Sequence, residues 1–322
     1  MTTPTATSAV GGAAPTSGSR SAGPERPTRR PRRSGRGRWV GWLFVAPAFL
    51  VYAVFVLRPM AVSVQYSLYE WNGVAASTFV GLRNYANLFT DSTLYGSILN
   101  AFQLIVFFSF VPVTLGLLIA TSIRQIAASK LAVVARTVLF LPQVIPLVAA
   151  GMVWSWLLSS TGFVNQALSW IGLGDVTRAW LGDFTFALPA VGVIGAWVLL
   201  GLCTLLLLSG ITKIDPSLYE AARLDGAGPV REFFAITLPS LRQEIGVCVT
   251  VTVIAALASF DIIYISTQGG PGNETMVPGL QIYYLAFADR EIGQASALGV
   301  ALMVLVLAVV LPIQWLTKER DR

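Results

Sequence analysis

The 322-residue chain contains no histidine. That absence removes the helical zinc motif with two histidines and every Ser-His or Cys-His catalytic pair. Cysteine is nearly absent as well. Cys203 and Cys248 both lie in apolar runs and read as small buried hydrophobes, so neither a metal cage nor a disulfide framework is available. Lysine occurs three times, at Lys130, Lys213 and Lys318, and never after a glycine. A Walker A loop needs Gly-Lys-Ser/Thr to cradle phosphates, so this chain is not a P-loop ATPase by itself. Charge of either sign is scarce: 12% of residues are charged against 55% hydrophobic, with mean hydropathy +0.68 and a net charge of +6. An ordinary soluble domain is about one quarter charged, and this chain cannot cover its own surface with polar groups. The composition points to an all-α, polytopic membrane protein.

What is present supports that class. Crossing a hydrocarbon core of ~30 Å takes roughly 20 apolar residues in a helix. Six segments qualify, near 39–58, 96–122, 136–158, 185–210, 245–267 and 296–316. Pro112, Pro142, Pro146 and Pro189 lie within or at the ends of these spans, where neighbouring helices can satisfy the freed carbonyls. Residues 1–38 are rich in Ala, Gly, Pro, Ser and Thr and hold eight arginines against one acid, Glu25. They lack the apolar surface to fold and read as a disordered basic tail. As a signal peptide the tail is long, and the apolar run passes through the mock cleavage site Ala46-Pro47-Ala48 to Leu57. As a nucleic-acid arm it sits oddly beside a span, where arginines retained on the cytoplasmic side explain it better. With the N-terminus inside, inner segments carry 18 of the 22 Lys and Arg residues, and the outer side only Arg58, Arg83, Arg178 and Arg290. This predicts both termini in the cytoplasm, with 39–317 as the membrane domain and 318–322 as a short tail.

The stretch "EAARLDGAGPVREFFAITLPS", Glu220 to Ser240, breaks the apolar pattern between spans four and five. Its loop, about 213–243, predicts two short helices. Asp215 can cap the first and Pro216 fits its first position, where a missing N–H costs nothing. Gly226 is placed to end it in a left-handed conformation. Gly228-Pro229 can open the second, whose apolar residues are Phe233, Phe234, Ile236 and Leu238. Such an amphipathic pair can lie in the lipid interface, cap the bundle, or dock into a groove on a partner. Glu220 is awkward against anionic lipid, and Ala221 and Ala222 permit close approach of another surface.

These residues also carry a resemblance. Glu220-Ala221-Ala222, then Asp225-Gly226-Ala227, then Ile236-Thr237-Leu238-Pro239 is similar to the EAA loop of binding-protein-dependent ABC transporter permeases. "FVGLRNYANLF" at 79–89, "LFLPQVIPLVAAGMVWSWLL" at 139–158, "WLGD" at 180–183, "SFDIIYISTQGGPGNET" at 259–275 and "GQASALGV" at 293–300 resemble the sugar-uptake branch, the maltose- and glycerol-phosphate-type inner-membrane components. Pro229 and Gln243 depart from the pattern. The first outer loop, about 59–95, is too short for the extra domain of some maltose-type members. The resemblance covers about 40–317 and implies a type I importer permease with six spans in a bacterial inner membrane. It implies a second permease, two cytoplasmic ATP-binding subunits that hydrolyse ATP, an extracytoplasmic solute-binding protein and a sugar substrate. It makes the chain non-catalytic and assigns coupling to the ATPase to Glu220, Ala221, Ala222, Asp225 and Gly226.

For the substrate path the candidates are Asp261, Asn100, Gln103 and Gln143. Asp261 is the one acid in an apolar span, about 24 Å along the fifth helix from Ile245 at 1.5 Å per residue. It reads either as a wall of the path or as a structural partner. The three amides can meet sugar hydroxyls or bond neighbouring helices. Trp154 and Trp156 fit an interfacial belt or a sugar-stacking platform. "GGPG" at 269–272 reads as an external turn. No cofactor, metal or nucleic-acid site follows from these residues. The competing readings are a stand-alone secondary transporter or channel, which calls for coupling carboxylates or broken helices at mid-membrane, and an intramembrane enzyme, for which no acid–base pair is in sight.

Overall fold

The structure, a computed structural model, describes residues 36–126 and 129–317. Nearly all of the expected basic tail, and the 318–322 tail with Lys318, Arg320 and Arg322, lie outside them. The chain divides into two units, 1–54 and 55–322. In the first, helix α1 (Arg36–Tyr52) exposes Trp42, Phe44, Phe49 and Leu50. A helix that is apolar on its exposed side belongs in lipid or against a partner.

The second unit is built of helices with one small hairpin. Helix α2 (Arg58–Tyr66) leads to β1 (Tyr69–Glu70) and β2 (Thr78–Phe79), paired antiparallel with Tyr69 opposite Phe79. This hairpin is a small departure from an all-α chain. Helix α3 (Arg83–Thr90) precedes α4 (Ser92–Ile105), which Asp91 caps by accepting from the Thr93 and Leu94 amides at 2.7 and 3.2 Å. A π turn at Val106–Phe110 carries α4 into α5 (Val111–Gln125), making one helix of 34 residues. Then come α6 (Lys130–Val144), α7 (Leu147–Leu157), α8 (Phe163–Trp170) and α9 (Ala187–Ile211). Helix α10 (Pro216–Leu224) follows, and α11 (Pro229–Glu232) runs through a π turn into α12 (Leu238–Ser240). The chain continues through α13 (Arg242–Leu257), α14 (Asp261–Ser266), α15 (Pro278–Tyr283) and α16 (Ile292–Thr317).

Helix α9 is the central post. It is apolar all round and 17 of its 25 residues are buried, as a helix without a polar face requires. Leu104, Phe108, Val191, Ile194, Ile263 and Leu280 form the core around one half of it. Leu117, Ala120, Cys203, Leu207, Leu241 and Cys248 form the core around the other. Both cysteines are fully buried, as small hydrophobes would be.

Four expected spans appear as continuous helical stretches, Phe44–Tyr66, Ser92–Gln125, Ala187–Ile211 and Ile292–Thr317. The other two do not run straight. The third bends by 100° between α6 and α7. Its cause is local: Pro146 disfavours helix at the preceding residue, and Ile145 is extended at φ −73°, ψ 129°. The fifth, expected unbroken over 245–267, stops at Leu257 and resumes at Asp261. No proline or glycine lies in Ala258-Ser259-Phe260, so packing sets this break. The Phe260 ring stacks on Tyr264 at 5.2 Å and tilts against Tyr283 at 5.7 Å. The Ser259 carbonyl sits so close to Gly279 of α15 that a side chain there would have to displace it.

Candidate functional site

Two regions hold most of the residues singled out from the sequence. The first is the 213–243 loop. Asp215 caps α10 through Oδ1, which accepts from the Ser217 amide at 2.9 Å, and Pro216 occupies the first turn. That same bond holds the Asp215 carboxyl below its ordinary range. At the other end Gly226 has φ +79°. Its N–H donates to the Arg223 carbonyl at 3.0 Å, and the Ala227 N–H donates to the Ala222 carbonyl at 2.9 Å. These paired bonds are a Schellman cap, which satisfies carbonyls the helix end would leave free.

The helix so bounded has two faces. Tyr219, Ala222 and Arg223 share one side by their i, i+3, i+4 spacing. Tyr219 is buried, and its hydroxyl lies 3.0 Å from the Thr237 hydroxyl. The Arg124 guanidinium, at the end of α5, lies 3.6 Å over the Tyr219 ring centre. Arg223 donates through Nε and Nη2 to the two oxygens of Glu232 at 2.8 and 3.3 Å. That bond from Arg223 holds the Glu232 carboxyl below its ordinary range. The opposite side carries Glu220, Ala221 and Leu224, all exposed, with Leu224 at 90%. Of the five residues expected to couple, Glu220, Ala221, Asp225 and Gly226 are exposed while Ala222 is half-buried against the chain itself. Leu224, Tyr219 and the Arg223–Glu232 pair were not among them. A helical projection of 216–224 would have separated the two faces. The nine-residue spacing of the ion pair carries no sequence signal.

The second region is a cavity of about 520 Å³ between the two broken spans. Gln143 and Pro146 line it from the α6–α7 bend, Ser259, Phe260 and Asp261 from the α13–α14 break, and Gly195 from α9. Asp261 opens α14 and is exposed, so it does not stand 24 Å along an unbroken helix as expected. Its carboxylate suits the positive end of a helix. Gln143 Oε1 and Ser259 Oγ are buried without a hydrogen-bond partner among the described residues. Unpartnered buried polar atoms are costly and call for a ligand, water or partner group. The structure thus brings Gln143 and Asp261 together and adds Ser259.

The other two amides are elsewhere. Asn100 Nδ2 donates to the Met276 carbonyl at 2.9 Å and the Asn273 carbonyl at 3.3 Å, holding the loop after α14. Gln103 is exposed on α4 and does not line the cavity. Trp154 packs edge-on against Trp197 at 5.5 Å, whereas Trp156 is 71% exposed. The 269–272 stretch is a turn, with Gly270–Pro271 in the cis form.

The insert between spans four and five lies at the far end of α16 from the hairpin region: Arg242 donates to the Leu316 carbonyl near the end of α16, whereas the Gly293 N–H near its start donates to the Trp71 carbonyl. Residues 112–318 match the family described as binding-protein-dependent transport system inner membrane component. This chain belongs to that family. It is 36% identical over 272 residues to the probable ABC transporter permease protein YurN of Bacillus subtilis (strain 168), covering 84% of this chain and 93% of YurN. It is 32% identical over 277 residues to the diacetylchitobiose uptake system permease protein NgcF of Streptomyces coelicolor, covering 82% and 78%. Its fold matches a chain of the bacterial alginate ABC transporter crystallised with an alginate pentasaccharide-bound periplasmic protein, with TM-score 0.74 and 26% identity. That match covers 88% of this chain and 95% of the other. The chain is therefore a membrane permease subunit of a binding-protein-dependent importer. Broken spans, expected of a stand-alone secondary transporter, occur here within this family and so do not distinguish the two.

Proposed function

We propose that this permease subunit forms half of the transmembrane path for a sugar or sugar derivative, with a second permease forming the other half. In this reading both termini and the 213–243 loop are cytoplasmic, where α10 seats its Glu220, Ala221 and Leu224 face in a groove of an ATP-hydrolysing subunit. The observation that carries it is the exposure of that face on a helix capped at both ends: Leu224 is 90% exposed beside a φ +79° glycine. A large apolar side chain held out on a rigid, short helix fits a partner groove better than water. The sugar reading draws on the relatives, on NgcF for a chito-disaccharide and on the alginate transporter for an oligosaccharide. It draws also on the cavity, where an amide, a hydroxyl and a carboxylate match the hydroxyl-rich surface of a sugar. The Phe260 ring lines the cavity with Asp261 and offers an apolar face to a sugar ring, backed by Tyr264 stacked on it.

The test is uptake into vesicles holding the assembled transporter. Uptake is expected to need ATP on the side of the 213–243 loop and the solute-binding protein on the other. Accumulation by this chain alone, driven by an ion gradient, would overturn the reading.

A further inference from the structure

Helix α10 has no extended backbone packing against another helix among the described residues. Its attachment to the bundle is made by side chains on the buried face. Tyr219 is 2% exposed, sandwiched between the Arg124 guanidinium at 3.6 Å and the Thr237 hydroxyl at 3.0 Å. Arg223 closes the same side on Glu232, which is 8% exposed. Thr237 and Glu232 belong to the neighbouring helix of the loop. Arg124 alone of these comes from a span, in the last turn of the 34-residue helix Ser92–Gln125. A short helix can pass a displacement to a span only through groups that resist being pulled apart. A planar guanidinium lying over a buried ring is such a group, because the ring is held in one geometry and the half-buried guanidinium packs flat against it.

We infer that Arg124 is a positioning residue for coupling: stacked on Tyr219, it ties α10 to the second span and carries the helix's displacement into the bundle. The inference rests on the proposed docking of α10 on the ATPase subunit. It adds that the second span is the member of the bundle that α10 moves. Arg124 does not touch the docking face, so its loss leaves docking in place and removes transmission.

The experiment uses the complete transporter, purified by a tag on this chain. Arg124→Ala is expected to keep the ATPase subunits bound and hydrolysing ATP, while uptake per ATP hydrolysed falls about three- to thirtyfold, the range that cation–π contacts span from exposed to buried sites. Arg124→Lys keeps a cation over the ring but loses the planar contact, and should restore part of the loss. Tyr219→Phe keeps the stacking face and should be mild, whereas Tyr219→Leu should match Arg124→Ala. If Arg124→Ala does not accumulate in the membrane, Tyr219→Leu makes the same test from the other partner. Uptake per ATP at the wild-type level in Arg124→Ala or Tyr219→Leu would overturn the inference. So would parallel loss of bound ATPase subunits and uptake without rescue by Arg124→Lys, since that is the mark of a merely structural residue. Retention of ATPase subunits and normal uptake in Glu220→Lys and Gly226→Val would instead overturn the docking reading itself, whatever Arg124 does.

Discussion

Gly226 gives a graded test of the coupling loop. Its φ of +79° lies in the left-handed region, and a Cβ placed on it meets no atom within 4 Å. Any harm done by a larger residue is therefore backbone strain and not a clash. For an L-residue that strain is roughly 1–2 kcal/mol, more for a β-branched side chain, and small for asparagine. The Schellman bonds at Ala222 and Arg223 exist only while residue 226 is left-handed, so the strain falls on the cap that aims α10. About 1 kcal/mol for Gly226→Ala and about 2 kcal/mol for Gly226→Val correspond to roughly fivefold and thirtyfold fewer capped molecules. These are upper limits on the loss of coupled uptake, reached when only the capped form docks. Gly226→Asn should stay near wild type. The assay is ATPase subunit retained per permease, with uptake per ATP hydrolysed, at equal amounts of chain in the membrane. All variants should insert equally, because the position lies outside the spans. Val equal to Asn, or Val at wild-type uptake, would refute the reasoning.

Other residues give sharper yes-or-no outcomes. Glu220→Lys replaces an exposed acceptor with a donor of opposite charge on the docking face, and is expected to lower co-purification of the ATPase subunits with the spans intact. Gly226→Val should be the more harmful of the two, since it moves the whole helix. Asp261→Asn should lower uptake while the complex stays assembled and hydrolyses ATP; less assembled complex would make Asp261 a structural partner instead. Asp215 has a folded-state carboxyl below its ordinary range, so its contribution to the α10 cap is complete above about pH 4 and is lost as pH falls through the lowered value. The protection of the Ser217 amide, its exchange taken relative to the intrinsic rate at each pH, should therefore fall on acidification in the wild type but stay flat in Asp215→Asn, which keeps the acceptor without the titration.

How much of this was legible depended on how local the cause was. Asp215, Pro216 and Gly226 act within one helix, and the sequence alone places the caps correctly. The Pro146 break is local too: a residue before proline avoids helix, so the apolar run 136–158 bends at Ile145 although its hydropathy is continuous. Ala258-Ser259-Phe260 has no breaker at all. Its break depends on Tyr283 and Gly279, some twenty residues on, and could not be read from periodicity. The hairpin strands are two residues each, too short for alternation to show. Arg124 and Tyr219 are 95 positions apart, and nothing in either segment indicates the other. Asn100 stands out in the sequence as a candidate for the substrate path, but its amide nitrogen is engaged with two carbonyls of a loop that the sequence leaves unplaced.

The second span joins the separate observations. At one end, Arg124 meets α10. Near its middle, Phe108 lines the cavity shared with Gln143 and Asp261, and it lies in the one π turn of that helix, Val106–Phe110. Toward the other end, Asn100 holds the loop after α14. Thirty-four residues at 1.5 Å each make this helix about 50 Å long, so one element touches the proposed drive, path and outer loop. The π turn has a mechanical meaning in that setting. An inserted residue interrupts the i→i−4 ladder, and such turns concentrate at functional sites. A rod with its one irregular turn at the cavity can transmit a displacement from Arg124 yet yield beside the proposed path. The α6–α7 bend and the α13–α14 break face the same space. The irregular backbone of three spans thus gathers around Gln143, Ser259 and Asp261, where freed carbonyls and polar side chains can exchange partners as the path opens.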